Sequence, residues 1–357
     1  MSLPSVRLSI DLDALASNYG VLREAADGAE VAPVVKADGY GLGAGPVARR
    51  LWREGARSFF VARLGEGEAL RAALGPERPA AIHVLDGLTS GAWPRLQAAA
   101  LTPVLMSLEQ AQAALTLGKN ASIDIGLHVD TGMNRQGLSH EDAAALTHRP
   151  GLRVGLIMSH LGSAADPDDP RNRAQLDRFT AVRRLFPQAR ASLAASAGAF
   201  LGPDYRFEMV RPGVSLYGGG PQERPDARLR AVARLEAPVL DIRQVRAGEL
   251  IGYGSGVLAA QDMRLAIVAA GYADGIIRAA RGKGYAWAAG ARRRLVIVTM
   301  NMLAIDVADA AVGPGEMVEF LGPNALLDDQ AHAAGSVAHE CLTRLQAVAE
   351  RRYLGAD

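Results

Sequence analysis

Short apolar runs alternate with segments of helical periodicity over the first two thirds of the chain. Most runs are followed by a stretch such as "GAGPVARRLWREGA", in which apolar residues recur at helical spacing. The runs are "VAPVVKA" (31–37), "SFFVA" (58–62), "AIHVLDG" (81–87), "LTPVLMS" (101–107), "SIDIGLHVD" (122–130), "RVGLIMSHLG" (153–162), "RASLAAS" (190–196) and "FEMVRPGVSLYGG" (207–219). This alternation is typical of a parallel α/β sheet. Eight such units favour a (β/α)8 barrel of the TIM type, whose usual size is about 250 residues, although a doubly wound sheet gives the same pattern.

The pattern changes after residue 228. Strand-like runs now follow one another across turns, with few helical stretches between them: "VARLEAPVLDIRQV", "RLAIVAAGYAD", "RLVIVTMNMLAIDV" and "EMVEFLG". We therefore expect an α/β domain over residues 1–228 and a mostly β domain over residues 229–357.

Composition and charge exclude several classes of protein. The net charge is +1 and no basic stripe is present, so nucleic acid is not an expected partner. No apolar run approaches the ~20 residues of a membrane span, and the start of the chain lacks the pattern of a signal peptide. The single cysteine, Cys341, excludes an internal disulfide framework. We expect a cytoplasmic protein with no membrane partner and no metal site.

Lysine is rare in this chain. Of 39 basic residues only Lys36, Lys119 and Lys283 are lysine, and the last two lie in polar, glycine-flanked turns. Lys36 instead ends the apolar run "VAPVV". One interpretation is a strand-end lysine that extends its charge into water. The other is that an amine is required, because a desolvated lysine can lose its proton and attack a carbonyl, whereas a guanidinium group cannot.

The ends of the apolar runs carry candidate binding groups, because ligands of barrel proteins lie at the carboxyl ends of the strands. Each group alone is also consistent with a structural role. Together they are Lys36, Tyr40, His128, Arg135, His160, Ser196, Arg211, Gly213 and Val214. Ser196 and the amides near Gly213 are suited to hold a phosphate. A phosphate site opposite a lysine that attacks carbonyls indicates pyridoxal 5′-phosphate (PLP).

Six motifs resemble those of the bacterial PLP-dependent alanine racemases, in the family's order and spacing over nearly the whole chain. They are "VVKADGYGLG", "HVDTGMNRQG", "RPGVSLYGG", "IGYGSG", "GYADGIIR" and "HECLTRLQAVAERRY". The resemblance implies an eight-stranded barrel, a C-terminal β domain paired with a first strand at about residues 5–12, and a homodimer with shared active sites. It implies interconversion of L- and D-alanine, which supplies D-alanine for peptidoglycan.

The resemblance also implies a role for each matching residue. Lys36 carries PLP and is one catalytic base, and Tyr253 of the partner subunit is the other. Arg135 and the amide of Met300 hold the substrate carboxylate. The remaining implied cofactor contacts are Tyr40, Ser196, Gly213 and Val214 at the phosphate, Arg211 at the pyridine nitrogen, and His160 in a network linking Arg211 to Tyr253.

Several positions depart from the common family pattern. His128 stands where many members have a lysine that orients the carboxylate-binding arginine. The other departures are Ile297 for an arginine, Asn301 for an aspartate, Ala165 for an acidic residue and Ala347 for a tyrosine, all at the implied substrate entrance. A racemase that also accepts serine or larger amino acids is therefore an alternative interpretation. A PLP decarboxylase is disfavoured because "VTMN" lacks that group's cysteine, and a non-catalytic PLP-binding protein because such proteins lack the second domain and its tyrosine.

Overall fold

The structure is a computed structural model that describes residues 5–119, 122–147, 149–254 and 256–355. The chain divides into two units. We call Ala16–Gly39 with Gly43–Leu216 the parallel unit. We call the rest, which is the chain up to Leu15, Tyr40–Leu42 and the chain from Tyr217 onward, the β unit. The first strand, β1 (Arg7–Asp11), belongs to the β unit.

The described residues of the parallel unit form eight strands. They are β2 (Glu30–Val31), β3 (Ser58–Val61), β4 (Ala81–Val84), β5 (Leu101–Leu105), β6 (Ile123–His128), β7 (Leu152–Met158), β8 (Arg190–Ser192) and β9 (Met209–Val210). Strands β3 to β8 form one parallel sheet in sequence order, and β2 pairs with β9 in parallel. The order never reverses within this sheet, as it would in a doubly wound fold. All four residues of β3 are buried, as expected for a strand covered on both faces.

One helix leads from β1 to β2, and further helices connect most of the strands of the parallel unit. They are Leu12–Ala26, Ala44–Arg53, Leu64–Leu74, Trp93–Ala98, Leu108–Leu117, His140–Ala144 and Pro170–Leu185, with 3₁₀ turns at Ala197–Phe200, Pro203–Tyr205 and Val214–Tyr217. Local sequence explains several helix starts: Ser107, Ser139 and Asp169 each accept a hydrogen bond from an amide in the first turn. The predicted alternation of parallel strands and helices is confirmed.

The β unit contains the remaining strands. They are β10 (Ala233–Val245), β11 (Leu250–Ile251), β12 (Val257–Leu258), β13 (Met263–Val268), β14 (Tyr285–Ala288), β15 (Ala291–Val298), β16 (Leu303–Asp306), β17 (Met317–Leu321) and β18 (Glu350–Leu354). The helices are Leu327–Ala333 and Ala338–Arg344, and 3₁₀ turns lie at Tyr272–Asp274, Arg278–Ala280 and Leu345–Ala347. The predicted mostly β character of this region is confirmed.

The long strand β10 organises the β unit. Its first half pairs with β17 and with β1, and its second half pairs with β13 after a register shift between Val239 and Asp241. Because β13 continues through β16, β15, β14 and β17 back to β10, these six strands form a closed barrel. Strand β1 also pairs with β18. Among the described residues, no helix combines the length and the apolar character that crossing a membrane requires.

Candidate active site

A left-handed turn follows Lys36 directly. Ala37, Asp38, Gly39 and Tyr40 have φ angles of 52°, 52°, 63° and 57°. The left-handed conformation costs a non-glycine residue about 1–2 kcal/mol, so the three non-glycine residues of this turn, Ala37, Asp38 and Tyr40, carry strain. Such strain persists only where the surroundings impose it, and it is concentrated at functional sites.

Hydrogen bonds hold the far end of this turn. The Asp38 carboxylate accepts from the Ala44 amide at 2.8 Å, and its carbonyl accepts from the Gly43 amide at 2.8 Å. Gly41 follows Tyr40, the last residue of the turn. It has φ of 82°, and a Cβ there would lie 2.9 Å from the Leu342 carbonyl oxygen. The motif "KADGYGLG" therefore requires glycine at position 41 on two grounds, backbone conformation and close packing.

The Lys36 amine is half-buried and, within the described part of the chain, makes no hydrogen bond or ion pair. Burial lowers the pKa of Lys36, and the positive charge of Arg135 lowers it further, while Glu66 and Asp86 act in the opposite direction. A larger fraction of the amine is consequently neutral at a given pH than for an exposed lysine. This is the state that attacks a carbonyl.

Arg211 is 3% exposed and is fixed by backbone carbonyl groups. Its Nη1 donates to the Ser192 carbonyl oxygen at 2.7 Å and to the Ser192 hydroxyl at 2.5 Å, and its Nη2 donates to the Ser159 carbonyl oxygen at 2.6 Å. The guanidinium carbon lies 5.9 Å from the centre of the Phe60 ring. Burial lowers the pKa of Arg211 to about 9, so the group remains charged at neutral pH.

Two histidines of the site are held in the neutral form. Burial, followed by the charges of Arg211 and Arg135, lowers the pKa of His128 to about 4. The same causes, with smaller contributions from His128 and Lys36, lower the pKa of His160 to about 3. These mutual influences show that the predicted residues Lys36, His128, Arg135, His160 and Arg211 share one electrostatic environment in the parallel unit.

The loop that carries Arg135 is shaped by the motif "HVDTGMNRQG". The Asp130 carboxylate accepts from the amides of Gly132, Met133 and Asn134 at 2.8 to 3.2 Å. Burial acts to raise the pKa of Asp130, but these amides outweigh it, so the pKa is lowered. Arg135 itself is exposed at the rim of this loop.

His128 contacts the same loop at Gln136, the residue that follows Arg135. The Nδ1 of His128 lies 3.2 Å from the side-chain nitrogen Nε2 of Gln136. Since neutral His128 accepts at Nδ1 when the amide donates, this contact ties the residue after Arg135 to the end of β6. A neutral hydrogen bond thus stands where many family members have a lysine.

Ser196 gathers the backbone that follows β9. Its buried hydroxyl oxygen accepts from the amides of Gly213 at 2.9 Å and Ser215 at 3.3 Å. Because Ser196 accepts in both of these bonds, its hydroxyl hydrogen remains available to donate to another group. The Ser215 hydroxyl is fully buried and has no hydrogen-bond partner among the described residues. With Val214 in between, this segment forms a cradle of donors suited to an oxyanion.

The other predicted site residues lie in the β unit. The Tyr40 ring packs 4.9 Å from that of Tyr217 and 5.8 Å from that of His339, and burial raises its pKa. Tyr253 lies in the loop between β11 and β12 and is 85% exposed. Met300 is 54% exposed in the tight turn between β15 and β16.

The departures from the family pattern have different surroundings. Ile297 packs against the hydrophobic cluster that contains Ile251, and a Cβ on Gly252 would lie 3.3 Å from its side chain. It therefore supports the base of the loop that carries Tyr253. Asn301 and Ala347 are exposed, and Ala165 is half-buried.

Sequence reasoning missed two residues of this site. Glu66 contacts the turn after Lys36, and Gln136 contacts His128. Glu66 is the third residue of helix Leu64–Leu74, where a capping glutamate is common, so its position was a usable signal. No local pattern marks Gln136.

Two family profiles together match most of the chain. Residues 10–221 match the profile described as alanine racemase, N-terminal domain, and residues 232–353 match alanine racemase, C-terminal domain.

Full-length relatives agree with the profiles. An alanine racemase of Methylobacterium sp. (strain 4-46) is 43% identical over 357 residues, covering 98% of this chain and 97% of the relative. An alanine racemase of Jannaschia sp. (strain CCS1) is 44% identical over 340 residues, covering 95% and 96%. The crystal structure of alanine racemase from Bartonella henselae with covalently bound pyridoxal phosphate has a TM-score of 0.91 at 32% identity, covering 98% of this chain and all of that one. The resemblance found in the sequence is confirmed, and the chain belongs to the alanine racemase family.

Proposed function

We propose that this protein is a PLP-dependent alanine racemase that uses Lys36 and Tyr253 as its two bases. The observation that carries the proposal is Lys36 itself. It is half-buried, unpaired among the described residues, lowered in pKa and adjacent to a strained turn. A lysine that only extends its charge into water would need none of these features.

The residues of the parallel unit fit PLP. The Ser196 and Ser215 hydroxyls and the Val214 amide offer donors for a phosphate, and the Gly213 amide, which donates to the Ser196 oxygen, lies beside them. Arg211 has both terminal nitrogens committed to carbonyl groups, and its Nε donates to no described residue. That remaining donor suits the pyridine nitrogen, and Tyr40 is proposed as a further phosphate contact. Joined to the amino group of the substrate in place of Lys36, PLP would withdraw electrons from the α-carbon and leave the Lys36 amine free to act as a base.

Racemisation needs a proton removed on one face of the α-carbon and returned on the other. We assign one face to the Lys36 amine and the other to the Tyr253 phenol. Arg135 and the Met300 amide hold the substrate carboxylate. Because guanidinium does not release its proton, Arg211 would leave the pyridine nitrogen unprotonated. The ring would then withdraw electrons less strongly, which favours return of the proton to the α-carbon. His160, neutral and in the electrostatic environment of Arg211, is proposed to link Arg211 to Tyr253.

The proposal includes an eight-stranded barrel for the parallel unit. The pairing of β2 with β9 supports it, as do the bridges between Val34 and Phe60 and between Ala195 and Arg211. These contacts connect the strand pair to both edges of the six-stranded sheet. A ring of eight parallel strands follows, with Lys36 and Arg211 at their carboxyl ends.

The proposal also includes a homodimer in which Tyr253 completes the partner's site. Tyr253, Leu250 and Leu258 are 85%, 56% and 64% exposed on one hairpin. Exposed apolar side chains clustered in this way mark an interaction surface. A second copy of the chain, whose Lys36 requires an opposing base, is the partner we assign.

The proposed product, D-alanine, serves peptidoglycan synthesis. A broader substrate range is a second candidate, favoured by the small side chains Ala165 and Ala347 at positions where the family pattern often has an acidic residue and, in some members, a tyrosine. A cytoplasmic location is part of the same proposal.

The test is covalent labelling and racemisation together. The wild-type chain should convert L-alanine to D-alanine, measured by loss of optical rotation, and should yield a borohydride-reduced PLP adduct on the peptide that contains Lys36. Lys36→Ala should lose both, while Lys283→Ala, an exposed lysine, should keep both. An adduct that persists on another peptide in Lys36→Ala would overturn the assignment.

A further inference from the structure

We propose that Glu66 is a positioning residue for Lys36: its carboxylate holds the strained turn that follows the lysine and so fixes where the amine stands. The inference deepens the proposed function, in which Lys36 carries PLP. It concerns the chain before any ligand is bound.

Glu66 joins two neighbouring strand ends. One carboxylate oxygen, Oε1, accepts from the amide of Ala37 at 2.9 Å. The other, Oε2, accepts from the amides of Ala62 at 2.7 Å and Arg63 at 3.2 Å. Ala37 follows Lys36, and Ala62 follows the last residue of β3. A single side chain therefore connects the start of the lysine turn to the adjacent strand.

The turn needs such a connection. Its residues have positive φ through Tyr40, and a chain of L-residues relaxes from this conformation unless its ends are held. Asp38 holds the far end through the amides of Gly43 and Ala44. At the near end, the side-chain contact to the Ala37 amide is the one from Glu66. The Gly39 amide also donates to the Val35 carbonyl oxygen at 2.9 Å, but this bond does not involve the Ala37 amide, so without Glu66 the residue after Lys36 would lose its own hydrogen bond.

A positional role and a purely electrostatic role predict opposite results. The charged groups that act on Lys36 are Arg135, which lowers its pKa, and Glu66 and Asp86, which raise it; burial is the largest influence and lowers it. If Glu66 acted only as a charge, its removal would lower the pKa of Lys36 further. If it holds the turn, its removal exposes the amine and raises that pKa towards the ordinary value of 10.5.

The experiment measures the pH profile of lysine labelling in the full-length chain after PLP has been removed with hydroxylamine. Each lysine is quantified by mass spectrometry of its peptide. Lys119 and Lys283, both exposed, serve as internal standards. In Glu66→Ala we expect the midpoint of Lys36 to rise by about one pH unit, a roughly tenfold change in the neutral fraction. Glu68→Ala is the matched control, because Glu68 lies on the same helix and pairs with Arg95 at the surface.

A folded Glu66→Ala chain whose Lys36 midpoint stays or falls would overturn the proposal. If Glu66→Ala does not fold, Glu66→Gln decides, because its single acceptor oxygen can serve either the Ala37 amide or the amides of Ala62 and Arg63 but not both, so the connection is broken. Hydrogen exchange in the peptide covering residues 34–45 should then be about tenfold faster than in the wild type; unchanged exchange would overturn the proposal. A raised midpoint in a chain that never binds PLP would support the role of Glu66 and refute the proposed function.

Discussion

At the scale of single residues, the sequence shows which groups are chemically distinctive but not what holds them. Lys36 is identifiable because lysine is rare in this chain and because it follows an apolar run. The groups that set its properties lie far along the chain: Glu66, which contacts the next residue Ala37, is 29 positions from Ala37, and Arg135 is farther still. Only folding brings these groups together. Residue type therefore predicted the candidate site, but it did not predict the residues that position Lys36 and shift its pKa.

His128 shows the same limit. Its identity predicted a departure from the family pattern, and the structure adds a hydrogen bond to Gln136. We expect Gln136→Ala to release the loop that carries Arg135 and to raise KM for alanine about fivefold, since a lost hydrogen bond costs about 1 kcal/mol. The turnover number kcat should change little, because neither Lys36 nor Tyr253 is altered.

Steady-state kinetics checks this expectation. Gln112→Ala, at an exposed position of helix Leu108–Leu117, is the control. The effect on KM should be constant from pH 6 to pH 8, because the pKa of His128 is about 4. A lower kcat with unchanged KM would contradict a role in positioning Arg135.

At the scale of elements, the apolar runs predicted where strands lie better than how long they are. The run "SFFVA" coincides with β3, which is buried throughout. The run "FEMVRPGVSLYGG" forms a strand only at Met209–Val210, because Pro212 lacks an amide hydrogen and the chain enters a 3₁₀ turn at Val214. Proline also shortens the first run, where β2 ends at Val31 before Pro33. The hydrophobic pattern alone does not predict that proline ends these strands early.

The parallel unit should lose stability in mild acid. His83, His128 and His160 have pKa values of about 4, 4 and 3, chiefly because burial disfavours the charged form. In the unfolded chain each titrates near its ordinary value of 6.5. Below that pH the unfolded state binds more protons than the folded state, so stability falls as pH decreases from about 7 to 5. Each histidine contributes up to about 1.4 kcal/mol for each pH unit.

Urea unfolding of the PLP-free chain at several pH values measures this loss. His128→Asn should reduce the pH dependence by about one histidine's share. His140→Asn, at an exposed position, should leave it unchanged. Equal stability at pH 5 and pH 7 would show that these histidines are not buried in the neutral form.

At the scale of the whole molecule, the family and its chemistry were identifiable from ordered motifs, whereas substrate range was not. Ala347 and Ile297 replace larger or charged groups of the implied entrance, and an apolar pocket separates substrates by only about 1–3 kcal/mol per methylene. We expect kcat/KM for alanine to exceed that for serine or lysine by less than roughly a thousandfold. Ala347→Tyr should reduce kcat/KM most for lysine.

The control for the entrance is Ala311→Tyr, which adds the same ring at another exposed position of the β unit. It should affect all three substrates alike. A wild-type preference for alanine above a thousandfold, together with no effect of Ala347→Tyr, would show that the small side chains are irrelevant to specificity.

The shared active site is a property that one chain cannot display, and complementation between inactive subunits tests it. Tyr253 is 85% exposed on the hairpin of β11 and β12, so the proposed base has few contacts within its own chain. Lys36→Ala and Tyr253→Phe should each be inactive alone. After subunit exchange, a mixed dimer combines Lys36 of one chain with Tyr253 of the other and so contains one intact site and one doubly altered site. Since random exchange makes half of the dimers mixed, activity should recover to roughly a quarter of the wild-type value.

Mixing Lys36→Ala with the double variant should recover none, because neither chain then supplies Lys36. If exchange is verified by mass spectrometry and the first mixture stays inactive, both bases belong to the same chain.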